Sequence, residues 1–307
     1  MTKSANLPEN AKIAVLIPCY NESQTISAVV NDFKTVLPEA EIFVYDNNST
    51  DGTDGIARNA GATVRYEKKQ GKGNVVKSMF AEIDADCYVM VDGDNTYPPD
   101  RVREMCATVL ADGADMVIGD RLSASYFTEN KKPFNSFGNV LVRFLVNLLF
   151  RAKVNDIMTG LRVMSRRFVK NMPRLSSGFE IETEMTIYAV DTKMKIVEMP
   201  VNYRDRPAGS VSKLNTFKDG FKVLFTVGKL WCKYRSASLF TVLAVVSFLL
   251  RLILKTLTNY QSEAKFNGLI SATGILTLIF AFIAVVLGFI QNLLRQRRIN
   301  KLNKDKR

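Results

Sequence analysis

Residues 88–100, YVMVDGDNTYPPD, join an apolar run directly to two closely spaced carboxylates. The run from Tyr88 to Val91 is typical of a buried strand in a parallel sheet, where both faces of the strand are covered. Asp92 and Asp94 follow at its carboxyl end, which is where a doubly wound sheet places its ligands. Two carboxylates separated by one glycine can converge on a divalent cation, because such cations prefer hard oxygen ligands. The stretch therefore predicts a parallel α/β sheet with a metal site at its edge.

Short apolar segments alternate with helical patterns along the first two thirds of the chain. The predicted strands are residues 12–17, 41–45, 63–66, 88–91, 115–119 and 197–203. Polar loops follow the first two strands, at residues 18–22 and 46–52. Ser23 is expected to cap a helix that ends near Val36. The alternation predicts an α/β fold with a doubly wound, mostly parallel sheet, whose acid-bearing loops share one edge.

The chain of 307 residues contains no histidine and carries a formal net charge of +12. Without histidine, imidazole acid–base catalysis and imidazole metal sites are excluded, which leaves carboxylates, Lys, Arg and Tyr for any chemistry. The four cysteines have neither metal-type nor paired spacing, as expected of reduced thiols in a cytosol-facing protein. The positive charge fits nucleic acid, a membrane surface or an anionic substrate. No nucleic-acid module is recognised, and the basic residues flank apolar spans, which favours the membrane.

Two apolar stretches, residues 236–256 and 266–290, predict two transmembrane helices that form a hairpin anchor. Arg251 interrupts the first stretch, so the prediction requires its side chain to snorkel to the interface. Both outer flanks of the hairpin are rich in Lys and Arg, including the tail of residues 291–307. This bias places a catalytic domain of residues 1–212 and both termini in the cytoplasm.

Two amphipathic segments and a basic loop precede the hairpin. Residues 213–235 combine a cationic face with an aromatic face, which is typical of an interfacial membrane helix. An amphipathic helix at residues 134–151 fits either the membrane surface or packing on the domain core. Arg204, Arg206 and Lys213 lie on a Gly- and Ser-containing loop and are expected to bind phosphate at the membrane surface, with a plain surface charge cluster as the alternative.

Other polar segments carry weaker signals. Residues 70–74, QGKGN, precede a helix and could cradle a phosphate, although an ordinary loop explains them equally well. Asp156 is another carboxylate in a polar loop. Three acids in residues 178–184 open a predicted helix, where the helix dipole is a sufficient structural explanation for at least one of them.

Several motifs together carry a family resemblance. They are IPCYNES, DNNSTDGT, QGKGN, DGDNTYPPD, GDRL, NDIMTGLR, GFEIETEM and YRDRPAGSVSKLNTFKDG. With them, residues 12–235 resemble family 2 glycosyltransferases of GT-A fold. More narrowly, the chain resembles polyprenyl-phosphate glycosyltransferases, the group of dolichyl-phosphate mannose synthases and bactoprenol glucosyltransferases. Mannose synthases often place a glutamine metal ligand two residues after the second Asp, and Thr96 stands there instead, which leaves the third protein ligand open.

The resemblance implies roles for the motif residues. The expected nucleotide-binding residues are Pro18, Tyr20, Asn21, Glu22, Asp46, Lys72 and Asp92. Asp92 and Asp94 are expected to hold Mg²⁺ or Mn²⁺. The residues expected near the phosphates of donor and acceptor are Arg121, Arg204, Arg206, Ser212 and Lys213. Asp94 and Asp156 are the expected catalytic residues, with Asp156 near the anomeric carbon as a base or a positioning group.

The implied function is that of a membrane-anchored inverting glycosyltransferase of the bacterial inner membrane. It would move glucose or N-acetylglucosamine from a UDP-sugar to polyprenyl (undecaprenyl) phosphate, giving a lipid-linked sugar for cell-surface glycan modification. A homo-oligomer is compatible with this hypothesis. A processive polysaccharide synthase is an alternative, but Trp231 does not lie in the Q-x-x-R-W run that such synthases carry. A non-catalytic membrane scaffold that binds sugar nucleotides is the other alternative.

Overall fold

The computed structural model describes residues 7–123, 133–173, 176–207, 213, 216–258 and 264–304. The chain forms two compact units, of which the first extends to Val227 and the second starts at Gly228. The first unit contains a sheet with its surrounding helices, and the second contains two long helices. The finer predicted boundaries, at residues 212, 235, 256, 266 and 290, stay predictions.

A seven-stranded sheet in the order β3-β2-β1-β4-β6-β5-β7 organises the first unit. Its strands are β1 (Ile13–Cys19), β2 (Glu41–Asp46), β3 (Thr63–Tyr66), β4 (Cys87–Met90), β5 (Met116–Asp120), β6 (Arg162–Ser165) and β7 (Ile196–Pro200). β6 is antiparallel to both neighbours, β4 and β5, and the other pairs are parallel. The predicted doubly wound, mostly parallel α/β sheet is therefore confirmed.

Helices connect the strands of the first unit. They are α1 (Ile26–Val36), α2 (Thr53–Asn59), α3 (Lys72–Glu82), α4 (Val102–Leu110), α5 (Pro133–Phe150), α6 (Arg166–Asn171) and α7 (Ile181–Asp191), with a 3₁₀ turn at Pro99–Arg101. The N-cap of α1 is Thr25, so the prediction that Ser23 caps this helix is wrong. The Ser23 amide instead donates to the Asp51 carboxylate (3.0 Å) and so ties the end of β1 to the loop after β2.

The central strands are buried on both faces, as their continuous apolar sequence predicts. Val15 and Leu16 on β1 and Val89 and Met90 on β4 are all shielded from solvent. Burying one such aliphatic or Met side chain contributes about 1.5–3 kcal/mol. β1 pairs in parallel with both β2 and β4. The loops that leave the carboxyl ends of these three strands therefore lie side by side, and they carry the predicted nucleotide and metal residues.

Helix α5 has two apolar sides with different environments. Val142, Val146 and Phe150 are buried, whereas Phe144 and Leu148 are 58% and 60% exposed. The helix predicted at residues 134–151 therefore exists, and one of its sides packs against the protein. Its other side leaves large apolar groups open, which a folded protein in water rarely does with contiguous side chains.

The second unit is built from the C-terminal part of α8 (Thr216–Thr258) and from α9 (Ala264–Lys304). Helix α8 is kinked at Arg235, whose φ of −137° and ψ of 32° are not helical. Two segments, Asp219–Thr256 and Gly268–Asn303, are long and apolar enough to cross a membrane by length and composition, and little of either is buried.

The two helices of the second unit run antiparallel. The Gln291 side chain donates to the Ser236 hydroxyl (2.6 Å) at one end of the pair. Further along, the hydroxyls of Thr277 and Ser247 are 3.1 Å apart. Because the residue numbers rise on one helix as they fall on the other, the two candidate membrane-spanning helices form a hairpin, as predicted.

Candidate active site

The loop after β1 is fastened to the loop after β2 by hydrogen bonds. The Asn21 amide donates to the Ser49 hydroxyl (2.9 Å), and the Thr50 amide donates to the Asn21 side-chain oxygen (2.9 Å). The Glu22 amide donates to the Thr53 hydroxyl (2.9 Å). Asn21 has a φ of 54°, in the left-handed region that asparagine enters more readily than most residues. These bonds hold two of the predicted nucleotide-binding residues in a fixed geometry.

Asp46 ends β2 with a buried carboxylate that is only partly satisfied. Its Oδ1 accepts from the Ser49 amide (2.9 Å), and its Oδ2 has no hydrogen-bond partner among the described residues. A buried unpaired acceptor costs on the order of 1–3 kcal/mol, which indicates a place for a ligand donor. On the adjacent strand Pro18 lies opposite Tyr45 in register, and Tyr20 keeps an exposed ring beyond the strand. The predicted nucleoside-binding residues thus share one edge of the sheet.

Asp94 is held on both carboxylate oxygens. The Thr96 amide (3.2 Å) and hydroxyl (2.6 Å) donate to Oδ1, and the guanidinium of Arg206 contacts Oδ2. Asp94 is only 3% exposed, and burial together with the charge of Asp92 raises its pKa. Thr96 therefore orients the carboxylate at the position where mannose synthases often carry a glutamine ligand.

Asp92 belongs to a charged cluster with Lys72 and Glu182. The Lys72 ammonium lies 2.5 Å from a carboxylate oxygen of each acid. Burial alone would lower the pKa of Lys72, but attraction by Asp92 and Glu182 outweighs it and keeps the pKa above its usual value. Gly160 lies against Asp92 so closely that a methyl group there would come within 2.6 Å of its Cγ. Only glycine fits this position without moving the acid.

The carboxylates of Asp92 and Asp94 fit a hard divalent cation. Mg²⁺ is usually bound by one or two carboxylates together with water and substrate phosphates, so two acids are a sufficient protein contribution. The described residues contain no group of three or more acids, cysteines or histidines that could hold a metal ion.

Arg121 and Asp156 form a buried ion pair beside these acids. The Arg121 guanidinium donates to both oxygens of Asp156 (2.7 and 2.9 Å), and its carbon lies 5.9 Å and 5.4 Å from the ring centres of Tyr97 and Tyr203. The Asp156 amide donates to Glu198 on β7 (3.1 Å), which fixes the loop. Because Asp156 is 1% exposed and paired with an arginine, the geometry favours its role as a positioning group over that of a general base.

Lys213 reaches the loop after β1 from the basic segment. Its ammonium donates to the Asn21 carbonyl (2.9 Å) and lies 3.7 Å from a carboxylate oxygen of Glu22. Burial raises the pKa of Glu22 to about 7, although Lys213 opposes the shift. Ser212, which is also predicted to bind phosphate, lies outside the described residues.

Arg204 has a different environment from the other predicted phosphate-binding residues. Its amide donates to the Thr96 carbonyl (2.8 Å), which joins the basic segment to the Asp94 loop, but its guanidinium lies 3.8 Å from Asp32 on α1. Glu182 is the reverse case, since it contacts Lys72 although no site role is predicted for it. The signal that could have identified Glu182 is its place among three acids at the start of α7. That signal is weak, because the helix dipole is a sufficient explanation for at least one acid at this position.

The sequence of this chain matches known proteins over most of the first unit. Residues 14–172 match the profile described as Glycosyl transferase family 2. Glycosyltransferase AglJ of Haloferax volcanii is 34% identical over 215 residues, which are 70% of this chain and 70% of that protein. Dolichyl-phosphate hexose transferase of the same organism is 31% identical over 208 residues, which are 68% of this chain and 89% of that protein.

The fold also matches solved structures. Glucosyl-3-phosphoglycerate synthase from Mycobacterium tuberculosis, solved with Mn²⁺, UDP-glucose and phosphoglyceric acid, superposes with a TM-score of 0.56 and 22% sequence identity. The match covers 71% of this chain and 80% of that chain. This likeness concerns the fold, and with the family match it confirms the GT-A fold that the sequence motifs predict.

Proposed function

Because this chain belongs to glycosyl transferase family 2, we propose that it transfers a hexose from a UDP-hexose to the phosphate of a polyprenol such as undecaprenyl phosphate. The name of the dolichyl-phosphate hexose transferase relative supports a lipid phosphate as acceptor. The UDP-glucose and Mn²⁺ bound by the solved neighbour support a UDP-sugar and a divalent cation. Glucose and N-acetylglucosamine are the candidate sugars, and the product would serve cell-surface glycan modification at the bacterial inner membrane.

The observation that carries the proposal is the meeting of two acids with two cations of the basic segment. Arg206 contacts Asp94, and Lys213 lies 3.7 Å from Glu22. The acids belong to the predicted donor site, and the cations are predicted to bind acceptor phosphate. Their proximity supports a site in which the sugar and the acceptor phosphate meet, because each cation of the basic segment contacts an acid of the predicted donor site.

The chemistry of the transfer requires few groups on the protein. An oxygen of the acceptor phosphate attacks the anomeric carbon, the bond from that carbon to the UDP oxygen breaks, and UDP leaves with the electron pair. A cation on Asp92 and Asp94 would stabilise the charge that develops on the leaving oxygen. The acceptor phosphate is already anionic at neutral pH, so no strong base is required. Arg121, oriented by Asp156, and Lys72 would add positive charge around the phosphates.

The surface of the first unit supports a membrane-bound acceptor. On α8, Phe221 and Phe225 are 78% and 73% exposed, and on α5 Phe144 and Leu148 are also open. Lys222 and Lys229 are exposed next to these aromatic groups, and exposed aromatic groups flanked by lysines on one helix are typical of an interfacial helix. A polyprenyl chain stays in the bilayer, so an enzyme that uses it needs such a surface or a membrane anchor. We propose that the cytoplasmic catalytic unit uses both.

A donor screen tests the proposal. Full-length protein in detergent would be mixed with Mg²⁺ and undecaprenyl phosphate and incubated separately with UDP-glucose, UDP-N-acetylglucosamine and other nucleotide sugars. The masses of the lipid products would then be determined by mass spectrometry. The proposal predicts one hexose added to the lipid phosphate with one donor strongly preferred. A polymer of many sugars would identify a processive synthase, and donor binding without any product would identify a scaffold.

A further inference from the structure

Arg251 places a guanidinium within the apolar hairpin, where no described acid can neutralise it. The described helical residues 228–258 and 264–304 contain neither Asp nor Glu, and the guanidinium of Arg251 has no hydrogen-bond or ion-pair partner among the described residues. Arg251 lies sixteen residues beyond the kink at Arg235, which is about 24 Å of helix, and the hydrocarbon core of a bilayer is about 30 Å thick. Arg251 therefore lies near the far side of the core, where its side chain can snorkel to the interface and meet an anion.

The facing helix leaves room for this guanidinium. A methyl group on Gly274 would lie 2.7 Å from the NH1 atom of Arg251 and 2.9 Å from its Cζ, so the side chain lies directly over the glycine. One turn before Arg251, the Ser247 hydroxyl donates to the Thr273 carbonyl (3.0 Å). The Thr277 hydroxyl in turn lies 3.1 Å from the Ser247 hydroxyl. These bonds set the register of the two helices and keep Gly274 opposite Arg251.

We propose that Arg251 binds the phosphate of an anionic membrane lipid at the loop end of the hairpin. Arg251 is exposed, and a guanidinium can donate two parallel hydrogen bonds to one phosphate. The packing over Gly274 holds the guanidinium at a fixed height along the hairpin. The inference rests on the proposed membrane insertion of the hairpin and is independent of the proposed transfer reaction.

A rival counter-ion exists in the sequence. Glu263 lies in the connecting loop, outside the described residues, and an ion pair between Glu263 and Arg251 would leave no place for a lipid phosphate. The two possibilities differ in what each substitution does. A lipid site loses its lipid when Arg251 is changed and keeps the same affinity when Glu263 is changed. An ion pair with Glu263 would instead let lipid bind only after Glu263 is changed, because that change frees the guanidinium.

Native mass spectrometry of the full-length protein in detergent with added phosphatidylglycerol measures lipid binding directly. We expect Arg251→Gln to weaken the tightest phosphatidylglycerol site about tenfold, since a charge-assisted hydrogen bond is lost. Gly274→Ala, which keeps the charge but moves the guanidinium, should weaken it in the same direction, and Arg251→Lys should weaken it less than Arg251→Gln. Arg297→Gln, an equal charge change in the C-terminal tail, and Glu263→Gln should leave this site unchanged.

Equal binding by the wild type and Arg251→Gln would overturn the inference, as would a marked gain of lipid in Glu263→Gln, because that gain would show that Glu263 occupies Arg251 in the wild type. Competition by millimolar inorganic phosphate would also overturn it, because it would identify a site for free anions. Phosphatidylcholine in place of phosphatidylglycerol should bind at least several-fold more weakly. Carbonate extraction of cell membranes separately reports whether the hairpin is inserted. Turnover of undecaprenyl phosphate by Arg251→Gln should equal that of the wild type. A failure of the lipid site can therefore be distinguished from a failure of the proposed transfer reaction.

Discussion

The guanidinium of Arg206 contacts Oδ2 of Asp94, while the hydroxyl of Thr96 donates to Oδ1 of the same carboxylate (2.6 Å). One predicted metal ligand is therefore neutralised by a cation from the segment predicted to bind the acceptor. A divalent ion bound by Asp94 would compete with Arg206 for the same oxygen. Arg206 released in this way would be able to pair with a phosphate, which would link the donor half of the site to the acceptor half.

Replacing Arg206 tests this link. Arg206→Gln should leave Mn²⁺ and UDP binding equal to or tighter than in the wild type, because the competing cation is gone, and should lower transfer by about 100-fold. Calorimetry with Mn²⁺ and UDP measures the first quantity, and product formation measures the second. Arg101→Gln, which breaks a surface ion pair with Glu104, is the matched control and should change neither. Weaker Mn²⁺ binding in Arg206→Gln would contradict the prediction that Arg206 and the ion compete for Asp94.

Thr96 should act through the orientation of Asp94. Thr96→Val keeps the shape of the side chain and removes its hydroxyl bond, so we expect the affinity for Mn²⁺ in the presence of UDP to fall about tenfold. Thr108→Val removes a similar hydroxyl bond, to the carbonyl of Glu104 on α4, and serves as the control. An unchanged Mn²⁺ affinity in Thr96→Val would show that the hydroxyl does not orient the acid.

Glu22 should make the folded protein less stable as the pH rises. Its folded pKa is about 7, above the usual value of 4.5, because burial disfavours the charged form. Between pH 4.5 and 7 the folded state binds more protons at Glu22 than the unfolded state does. The contribution of Glu22 to the free energy of unfolding is therefore fully present below pH 4.5 and is lost as the pH rises through 7. Glu22→Gln should therefore stabilise the protein at pH 8 by on the order of 1–2 kcal/mol after allowance for solvent contact, and much less at pH 4.5.

Thermal unfolding of the detergent-solubilised protein at the two pH values checks this prediction. Glu9→Gln, a substitution at an exposed acid near the N-terminus, is the control for the loss of one negative charge. A melting temperature of Glu22→Gln that rises equally at both pH values would show that the effect is not one of protonation.

Asp156 should reveal its role through the pH profile. If Asp156 orients Arg121, Asp156→Asn should raise the KM for undecaprenyl phosphate and lower kcat without changing the shape of the pH profile of kcat. Arg121→Lys keeps the charge but loses the two-pronged contact, and it should shift the KM for the acceptor in the same direction. Loss of a limb of the pH profile in Asp156→Asn would instead identify Asp156 as a general base.

The sequence predicts the strands and loops well, because apolar runs and loop acids are local signals. β6 escapes prediction because it starts with Arg162, a buried arginine whose bonds to the carbonyls of Ile157 and Thr159 are visible only in the fold. The contact of Arg206 with Asp94 joins distant segments, and no local pattern reports it. Glu182 escapes for the same reason, since its partner Lys72 lies on another helix.

The most direct test of the account compares Asp94→Asn with the wild type in one assay. Both proteins would be purified from membranes and incubated with Mg²⁺, the preferred UDP-hexose and undecaprenyl phosphate. The lipid-linked hexose would be quantified by mass spectrometry. We expect Asp94→Asn to enter membranes normally and to lose at least about 100-fold of the transfer rate, which corresponds to roughly 3 kcal/mol. A near-normal rate of lipid-linked hexose formation in Asp94→Asn would contradict the account.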